Sequence, residues 1–457
     1  MEALVIIVFV VGYLAIALEH PIKINKTASA LLAGVICWTL FVISEPIESV
    51  TNSESYSSFL QVLKIELGEK FNALTSSELY REFVTFELGE HLSSIAQIIF
   101  FLLGAMTIVE LVDAHHGFRF ITDRIKTKNP KRLLWISCWV SFFLSSVLDN
   151  LTTTIVMLSL VRKLIPDKEM RLFFAGMIVI AANAGGAWTP IGDVTTTMLW
   201  IGGQITALNI MKELILPSLA ACIMPALIVA YRFKGKQIVA MMQSVSNPKE
   251  KRDGQIILFS GIGFLVFVPI FKTVTHLPPF MGMLLALGLM WVITTVIHKS
   301  KDHEIAERFT VGRALQKIDS PSILFFLGIL LAVSALQSFG LLKDLATLLS
   351  STFKNDFLIG IALGLLSAIV DNVPLVAASQ GMYDLTTYPT DHHFWEFLAL
   401  TTGTGGSAVI IGTAAGVAVM GIEQIKFMWY LKNIGWLALM GFAAGIAVFL
   451  MQVWLVG

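Results

Sequence analysis

Long apolar stretches recur along the whole chain and are separated by short polar segments. Stretches of roughly 17–25 apolar residues have the length that a helix needs to cross a lipid bilayer. The pattern therefore predicts an all-α polytopic membrane protein. The predicted spans are 3–19, 27–44, 93–113, 213–231, 255–271, 280–297, 321–339 and 435–456, together with two longer apolar runs at 170–200 and 394–421.

Two further apolar segments, 132–165 and 356–380, do not fit a single span. Each has two short arms around an Asp-Asn pair, formed by Asp149 and Asn150 in the first and by Asp371 and Asn372 in the second. An arm of about 15 residues is marginal for crossing a bilayer. We predict that each segment is a re-entrant hairpin with the pair near its tip, where protein or a water-filled cavity supplies hydrogen-bond partners. Alternatively, both arms cross fully as a helix pair, which returns the chain to the same side.

A glycine-rich break follows each hairpin, NAGGAWTPIGD (183–193) in the first case and GTGGSAVIIGT (403–413) in the second. The hairpin aspartates are 222 positions apart and the Gly-Gly pairs 220 apart. Glycine lets a helix unwind in the membrane, and Pro190 enforces the first break. The freed carbonyl groups can then bind an ion. A lone glycine pair would indicate only tight helix packing, an interpretation that two matching breaks weaken. The glycines concerned are Gly185, Gly186, Gly192, Gly405, Gly406 and Gly412.

Charged residues in the loops predict the orientation of the chain. Lys and Arg favour the cytoplasmic side of a membrane, so both termini are predicted outside. The first hairpin then enters from the cytoplasm and the second from outside, which makes the two halves inverted repeats. Basic residues cluster in 119–132, 162–171, 232–252 and 299–317, and acidic residues in 45–90 and 381–392.

The predicted domain division follows from this orientation. Repeat 1 is 1–231, with hairpin 132–165 and broken helix 170–200; repeat 2 is 255–457, with hairpin 356–380 and broken helix 394–421. The segment 232–254 is a cytoplasmic linker. The loop 45–90 is polar with scattered apolar residues, and the sequence assigns it no role beyond a helix or two on the outer surface.

Composition supports a membrane protein and excludes other classes. Of 457 residues, 56% are hydrophobic and 14% charged, against about a quarter charged in soluble domains. The formal net charge is zero, so no nucleic-acid partner is indicated. The three cysteines are far apart, and we expect neither a disulfide framework nor a cysteine metal site. No cofactor is indicated. The chain begins with an apolar run, which we interpret as a first span rather than a removed signal peptide.

Asp149 and Asp371 are the first candidates for chemistry. A carboxylate in mid-membrane costs about 2.5–3.5 kcal/mol even on insertion scales. It could form a structural ion pair or cap a helix, but its duplication beside Asn favours a functional site. Carboxylate and amide oxygens together with backbone carbonyls form a site for a small hard cation. A buried carboxyl group can also exchange protons near neutral pH.

Further oxygen donors surround the two breaks. In the first half they are Asn183, Thr189 and Asp193, and in the second half Thr404, Ser407 and Thr413. The hydroxyls of Thr152, Thr153 and Thr154 can equally bond to carbonyls of their own helix.

Glu110 lies near the cytoplasmic end of a span and is another candidate for proton or ion binding. Its role is open, since the second half has no acid at the equivalent place. Asp113, His115 and His116 follow it and could relay protons or sense pH, although we interpret them as interfacial residues.

Five motifs together resemble one family, the NhaD-type sodium/proton antiporters of the ion transporter superfamily. They are VELVDAHHGF, SSVLDNLTTT, NAGGAWTPIGDVTT, SAIVDNVPLVAA and TGTGGSAVIIGTAAG. The resemblance covers nearly the whole chain, least clearly 45–90. It implies a transport domain that moves against a scaffold of flanking helices. It also implies a homodimer in a bacterial-type inner membrane or a derived organelle membrane, exporting Na+ (often also Li+) for incoming H+. The implied Na+ site is Asp149, Asn150, Asp371 and Asn372, with Asp193 and Thr189 nearby.

Other functions remain open at this point. Distant members of the superfamily carry dicarboxylates, citrate or arsenite, but carboxylate carriers have Ser-Asn-Thr at the hairpin tips, and an ionised Asp would repel an anion. An intramembrane aspartyl protease could use Asp149 and Asp193 as a proton-sharing pair, which would leave the second hairpin unexplained. A channel would show continuous conductance without exchange. The sequence favours a transporter rather than an enzyme.

Overall fold

The computed structural model describes residues 2–44, 47–125, 127, 129–233, 248–299, 309–369 and 371–456. Across these ranges the regular structure is helical, without a β-strand. Eight of the described helices are long and apolar enough to cross a membrane. The predicted all-α polytopic membrane fold is therefore confirmed.

The main helices agree with the predicted spans to within two helical turns, with one large exception. That exception is α4, which is 39 residues long and begins well before the predicted span. At about 1.5 Å per residue it is longer than a bilayer core of about 30 Å. The helices are α1 (Glu2–Ala17), α2 (Lys26–Ile43), α3 (Glu54–Leu67), α4 (Ser76–Ala114), α5 (Pro130–Ser145), α6 (Asn150–Leu164), α7 (Lys168–Ala187), α8 (Val194–Ile201), α9 (Ala207–Arg232), α10 (Pro248–Thr275), α11 (Pro279–His298), α12 (Ser320–Ser338), α13 (Leu341–Phe353), α14 (Asp356–Leu366), α15 (Asn372–Met382), α16 (His393–Gly405), α17 (Ala414–Glu423) and α18 (Trp436–Val456). Short helical turns occur at Glu19–Ile22, Glu48–Thr51, Gly68–Ala73, Arg119–Thr122, Val311–Lys317, Gly406–Ala408, Phe427–Tyr430 and Leu431–Gly435.

A capping box explains the early start of α4. Thr75 Oγ1 accepts a hydrogen bond from the Glu78 backbone N–H (3.3 Å), and Glu78 Oε2 accepts one from the Thr75 backbone N–H (2.8 Å). This reciprocal arrangement satisfies two backbone donors that a helix start would otherwise leave free. The Thr-x-x-Glu spacing is visible in the sequence, but it lies within 45–90, which is predicted to be a loop.

The chain divides into two compact units, of which the first comprises Met1–Ile99, Ser320–Lys354 and Ala377–Thr387. Its core is aromatic. Phe41 of α2 packs on Tyr80 of α4 with ring centroids 5.8 Å apart and on Phe339, which follows α12, at 4.3 Å. Tyr56 and Phe59 of α3 are buried in the same core. The loop 45–90, to which the sequence assigned no role, therefore supplies helices that complete this core.

The second unit comprises Phe100–Asp319, Asn355–Val376 and Tyr388–Gly457. It holds the first hairpin (α5 and α6), both broken helices (α7 with α8, α16 with α17), and the second hairpin (α14 and α15) as far as Val376. The hairpin arms contain 11 to 16 residues. At about 1.5 Å per residue such arms are shorter than a bilayer core of about 30 Å.

The two breaks have the same local backbone. Asp193 precedes α8 with φ −143° and ψ 151°, and Thr413 precedes α17 with φ −144° and ψ 154°. In each case the side chain accepts a hydrogen bond from the first turn of the following helix. These residues are 220 positions apart, so both broken helices restart at matching places.

Matching glycines pack each broken helix against the preceding hairpin. A Cβ at Gly185 would collide with the carbonyl oxygen of Phe142, and one at Gly405 would collide with that of Gly364. A Cβ at Gly192 would lie 2.6 Å from Ser145 O. These positions require glycine because a neighbouring backbone occupies the space of a side chain.

Replacement of Gly405 by Ala is expected to lower the free energy of unfolding by about 1–3 kcal/mol, since backbone cannot yield to the added methyl group as a side chain would. Gly263 in α10 is a matched control, because nothing lies within 4 Å of a Cβ placed there. Gly263→Ala should be neutral or stabilise by about 0.5–1 kcal/mol. Thermal unfolding of both variants in detergent tests this, and equal stability of the two would contradict the packing described.

Two crosswise contacts join the broken helices: the start of each one contacts the region where the other ends. At the start of α7, Arg171 Nε lies 2.8 Å from Oε2 of Glu423, the last residue of α17. Just before α16, Asp391 Oδ1 accepts a hydrogen bond from the Thr206 backbone N–H (2.6 Å), five residues after the end of α8. Arg171 and Asp391 are again 220 positions apart.

Most of the predicted linker 232–254 lies outside the described residues, as do some of the charges used for orientation. These are Glu45, Lys126, Lys128, Lys234, Lys236, Lys301 and Arg308. The compact units do not follow the predicted boundary between repeats, because each contains segments of both halves. The predicted domain division stays a prediction.

Candidate functional site

One buried carboxylate accepts hydrogen bonds from an asparagine of each hairpin. Asn150 Nδ2 donates to Asp193 Oδ2 at 3.2 Å, and Asn372 Nδ2 donates to the same oxygen at 3.3 Å. All three side chains are buried. Asn150 is the first residue of α6 and Asn372 the first of α15, so the start of each second hairpin arm brings its amide to this point.

A second amide joins the two breaks. Asn183 of α7 accepts a hydrogen bond from Asn150 Nδ2 at Oδ1 (3.0 Å). Its Nδ2 donates to Ser407 Oγ (2.9 Å) and Thr413 Oγ1 (3.2 Å). The structure thus assembles six of the predicted residues, hereafter the central cluster: Asn150, Asn183, Asp193, Asn372, Ser407 and Thr413.

The hairpin aspartates directly precede two asparagines of this cluster, and each accepts a hydrogen bond from the first turn of the helix that follows it. Asp149 is the N-cap of α6, where Oδ1 accepts from the Thr152 backbone N–H and Oδ2 from Thr152 Oγ1, both at 2.7 Å. Asp371 Oδ1 lies 3.5 Å from the Val373 backbone N–H at the start of α15. Both aspartates are close enough to Asp193 to act on it electrostatically. The helix-cap interpretation left open by the sequence therefore applies to Asp149, and Thr152 is its capping partner.

Three predicted site residues have other partners. Thr189 Oγ1 donates to Ser146 O at the tip of the first hairpin (2.6 Å), and Thr404 Oγ1 donates to Leu400 O of its own helix (2.6 Å). Glu110 forms an ion pair of 3.2 Å with Lys317. Thr189 positions the hairpin against the break, whereas Thr404 and Glu110 have no described contact with the central cluster.

One histidine differs from its predicted surroundings. His115 was expected at the membrane interface but is buried, as is His298. Their Nε2 atoms are 2.8 Å apart, which is hydrogen-bond distance. The pairing connects residues 183 positions apart, so no local pattern could reveal it.

The electrostatics of the central cluster favour a cation. Within the described part of the chain, Asp149 and Asp193 contact amides, hydroxyls and backbone N–H groups rather than a Lys or Arg. A buried carboxylate without a cationic partner gains most from a bound cation or a proton. Ser407 and Thr413 add hydroxyl oxygens, and oxygen ligands are those that hard cations prefer. For the hairpin amides to bind a cation as well, their oxygens must replace the N–H groups that now point at Asp193.

Three polar residues near the breaks, Thr195, Thr196 and Glu396, were not singled out from the sequence. Thr195 and Thr196 lie two and three residues after Asp193 and bond to it. The Thr195 backbone N–H donates to Oδ1 (3.4 Å), and Thr196 Oγ1 donates to the backbone carbonyl (2.9 Å). Glu396 is fully buried at the start of the second broken helix. An acid inside the apolar run 394–421 was the available signal for it.

A helical membrane fold with a buried polar cluster between broken helices defines a membrane transporter. A family model described as "Citrate transporter" matches residues 13–403. The chain belongs to this transporter family.

Individual relatives have more specific names. Sodium/proton antiporter 2 of Arabidopsis thaliana is 43% identical over 450 residues, which cover 97% of this chain and 98% of the relative. Sodium/proton antiporter 1 of the same plant is 45% identical over 446 residues, covering 97% and 71%. The Na(+)/H(+) antiporter NhaD of Vibrio cholerae is 28% identical over 477 residues, covering 98% and 91%. The resemblance to NhaD-type antiporters is thereby confirmed, and the protease interpretation has no support.

Proposed function

We propose that this protein is a secondary active transporter that exchanges cytoplasmic Na+, and also Li+, for external H+ by alternating access. The observation that carries the proposal is the convergence of both hairpin asparagines on Asp193 Oδ2. The names of the relatives supply Na+ and H+, since four similar chains are named sodium/proton or Na(+)/H(+) antiporters. Li+ is included because the resemblance to NhaD-type antiporters implies it. No enzymatic step is involved.

The exchange is a competition for one set of oxygens. With Asp193 ionised, its carboxylate together with the Ser407 and Thr413 hydroxyls binds Na+, and the nearby Asp149 and Asp371 charges strengthen the attraction. With Asp193 protonated, the charge is lost and Na+ leaves. One site holds either ion but not both. Exposure of the loaded site to each side of the membrane in turn therefore couples the Na+ gradient to the H+ gradient. Each net charge moved is driven by about 2.3 kcal/mol per 100 mV of membrane potential.

Matching contacts in the two halves support the inverted repeats. The glycine contacts of Gly185 and Gly405 and the backbone angles of Asp193 and Thr413 recur at a spacing of 220 residues. In the crosswise contacts, Arg171 and Asp391 have the same spacing. The short hairpin arms support re-entrant hairpins over full crossings. Outside termini, a homodimer, an inner-membrane location and a role in pH homeostasis complete the proposal, and they rest on loop charge and the resemblance.

An anion such as citrate is the second candidate, favoured by the description of the matching family model. Three aspartates at or beside the central cluster oppose it, because buried negative charges repel a carboxylate substrate. The relatives named as cation antiporters also oppose it.

Proteoliposomes containing a pH-sensitive dye test the function. We expect imposed Na+ or Li+ gradients to move protons in the wild type, whereas citrate or arsenite gradients should not. Asp371→Asn should reduce the rate at least about tenfold, because the charge beside Asp193 is lost. Asp344→Asn, at an exposed position of α13, is the control and should keep full activity. Full sodium/proton exchange in Asp371→Asn, or proton movement driven by citrate alone, would contradict the proposal.

A further inference from the structure

Glu396 is a buried carboxylate that the central cluster does not use. It lies in the first turn of α16, and 0% of its side chain is exposed. Oε1 accepts a hydrogen bond from Asn209 Nδ2 of α9, and Oε2 lies 3.2 Å from His393 Nδ1. The His393 side chain is 48% exposed and therefore in contact with solvent. A carboxylate without access to water is thus linked to solvent through one imidazole.

The charges around Glu396 disfavour its ionised form. Glu213 of α9 and Asp391 before α16 act on it with like charge, and Lys212 with opposite charge. Lys212, however, pairs with Glu213 at 3.1 Å and is 77% exposed, so solvent screens it. Among the described contacts, the remaining cation within reach is a protonated His393. Because an uncompensated charge in a protein interior is expensive, a proton shared with this buried carboxylate would stabilise it.

The position of Glu396 on α16 connects it with the central cluster. Gly403 is seven residues further along, and residues seven apart lie on the same face of a helix. A Cβ at Gly403 would lie 4.0 Å from Asp193 Oδ2, so this face points at Asp193. Two helical turns, about 10 Å, therefore separate the level of Glu396 from that of the ion-binding carboxylate.

We propose that Glu396 is a second proton-binding site, loaded through His393 from the side of the membrane predicted to be external. The step is a proton transfer from His393 Nδ1 to Glu396 Oε2, and His393 regains its proton from water. Delivery of this proton toward Asp193 along α16 rests on the proposed function, whereas proton binding at Glu396 does not.

Infrared difference spectroscopy of the wild type and Glu396→Gln tests proton binding without any transport. Gln keeps an acceptor for Asn209, so the variant should fold. We expect the carbonyl band of a protonated carboxylic acid to change with pH in the wild type and to lose one component in Glu396→Gln. Glu169→Gln, at an exposed residue, is the control and should keep that component.

Transport by the same variants in proteoliposomes tests the delivery step. Glu396→Gln should slow sodium/proton exchange about tenfold and flatten its dependence on outer pH, because a proton-transfer group is lost. Exchange of Na+ for Na+ should keep its wild-type rate. His393→Ala should keep the infrared component but slow proton uptake.

The outcomes separate the two proposals. An unchanged infrared band together with an unchanged pH profile in Glu396→Gln would overturn the Glu396 site. If Glu396→Gln loses the infrared component but the wild type moves no protons in exchange for Na+, the proton site at Glu396 is supported and the antiport function is wrong.

Discussion

Replacement of Asp193 by Asn is expected to reduce sodium/proton exchange about a hundredfold or more. Asp193 Oδ2 is the acceptor for the amides of Asn150 and Asn372. In the proposed function it carries the charge to which Na+ and H+ bind in turn. The loss of one charged member of a buried hydrogen-bonded group has effects of this size. Asn keeps an oxygen that can cap α8, so the variant should fold. Initial rates in dye-loaded proteoliposomes provide the measurement.

Thr413→Ser is the matched control for Asp193→Asn. Thr413 occupies the equivalent position of the second break, and Ser keeps the hydroxyl that Asn183 and the Gly416 backbone N–H bind. We expect that variant to retain most of its activity. Wild-type rates in Asp193→Asn would show that the ion binds elsewhere, with Asp149 and Asp371 as the next candidates.

The second large effect is expected for stability. Arg171→Ala should lower the free energy of unfolding by about 3–5 kcal/mol, because it leaves the Glu423 carboxylate buried without its close partner. The Glu423 side chain is 2% exposed and lies 2.8 Å from Arg171 Nε. Arg171 Nη1 also donates to Ile165 O (3.0 Å) and Pro166 O (3.2 Å), and these bonds are lost too. Thermal unfolding in detergent measures the loss.

Arg162 provides an internal comparison, since it contacts the same carboxylate at 3.2 Å from a position that is 53% exposed. Solvent screens such a pair, so Arg162→Ala should change stability by about 0–1 kcal/mol. Adding Glu423→Gln to Arg171→Ala should restore part of the lost stability, because the unpaired charge is then gone. If Arg162→Ala proved the more damaging variant, the assignment of the main partner would be wrong.

The membrane fold could be predicted because its signals are local. The length of apolar runs located the spans, and the duplicated Asp-Asn pairs and glycine breaks located hairpins and broken helices. The observed breaks, between Ala187 and Val194 and between Gly405 and Ala414, lie inside the predicted ones. Glycine and an N-capping residue mark such a break directly in the sequence.

Which of the predicted polar residues would meet could not be predicted, because this depends on contacts between distant segments. The sequence placed Asp149 and Asp371 at the centre, yet Asp149 caps its own helix and Asp193 receives the amides. Glu110 pairs with Lys317, 207 positions away. The hydroxyl of Thr404 bonds to a carbonyl one turn earlier, an outcome that spacing alone leaves open.

The amide of Asn183 makes the two breaks mutually dependent. One side chain holds Asn150 through its oxygen, and Ser407 and Thr413 through its nitrogen. A ligand that draws any of these groups toward itself also disturbs the others. We therefore expect that binding of an ion at one break changes the hydrogen bonds at the other, so that the two breaks respond to the ion together.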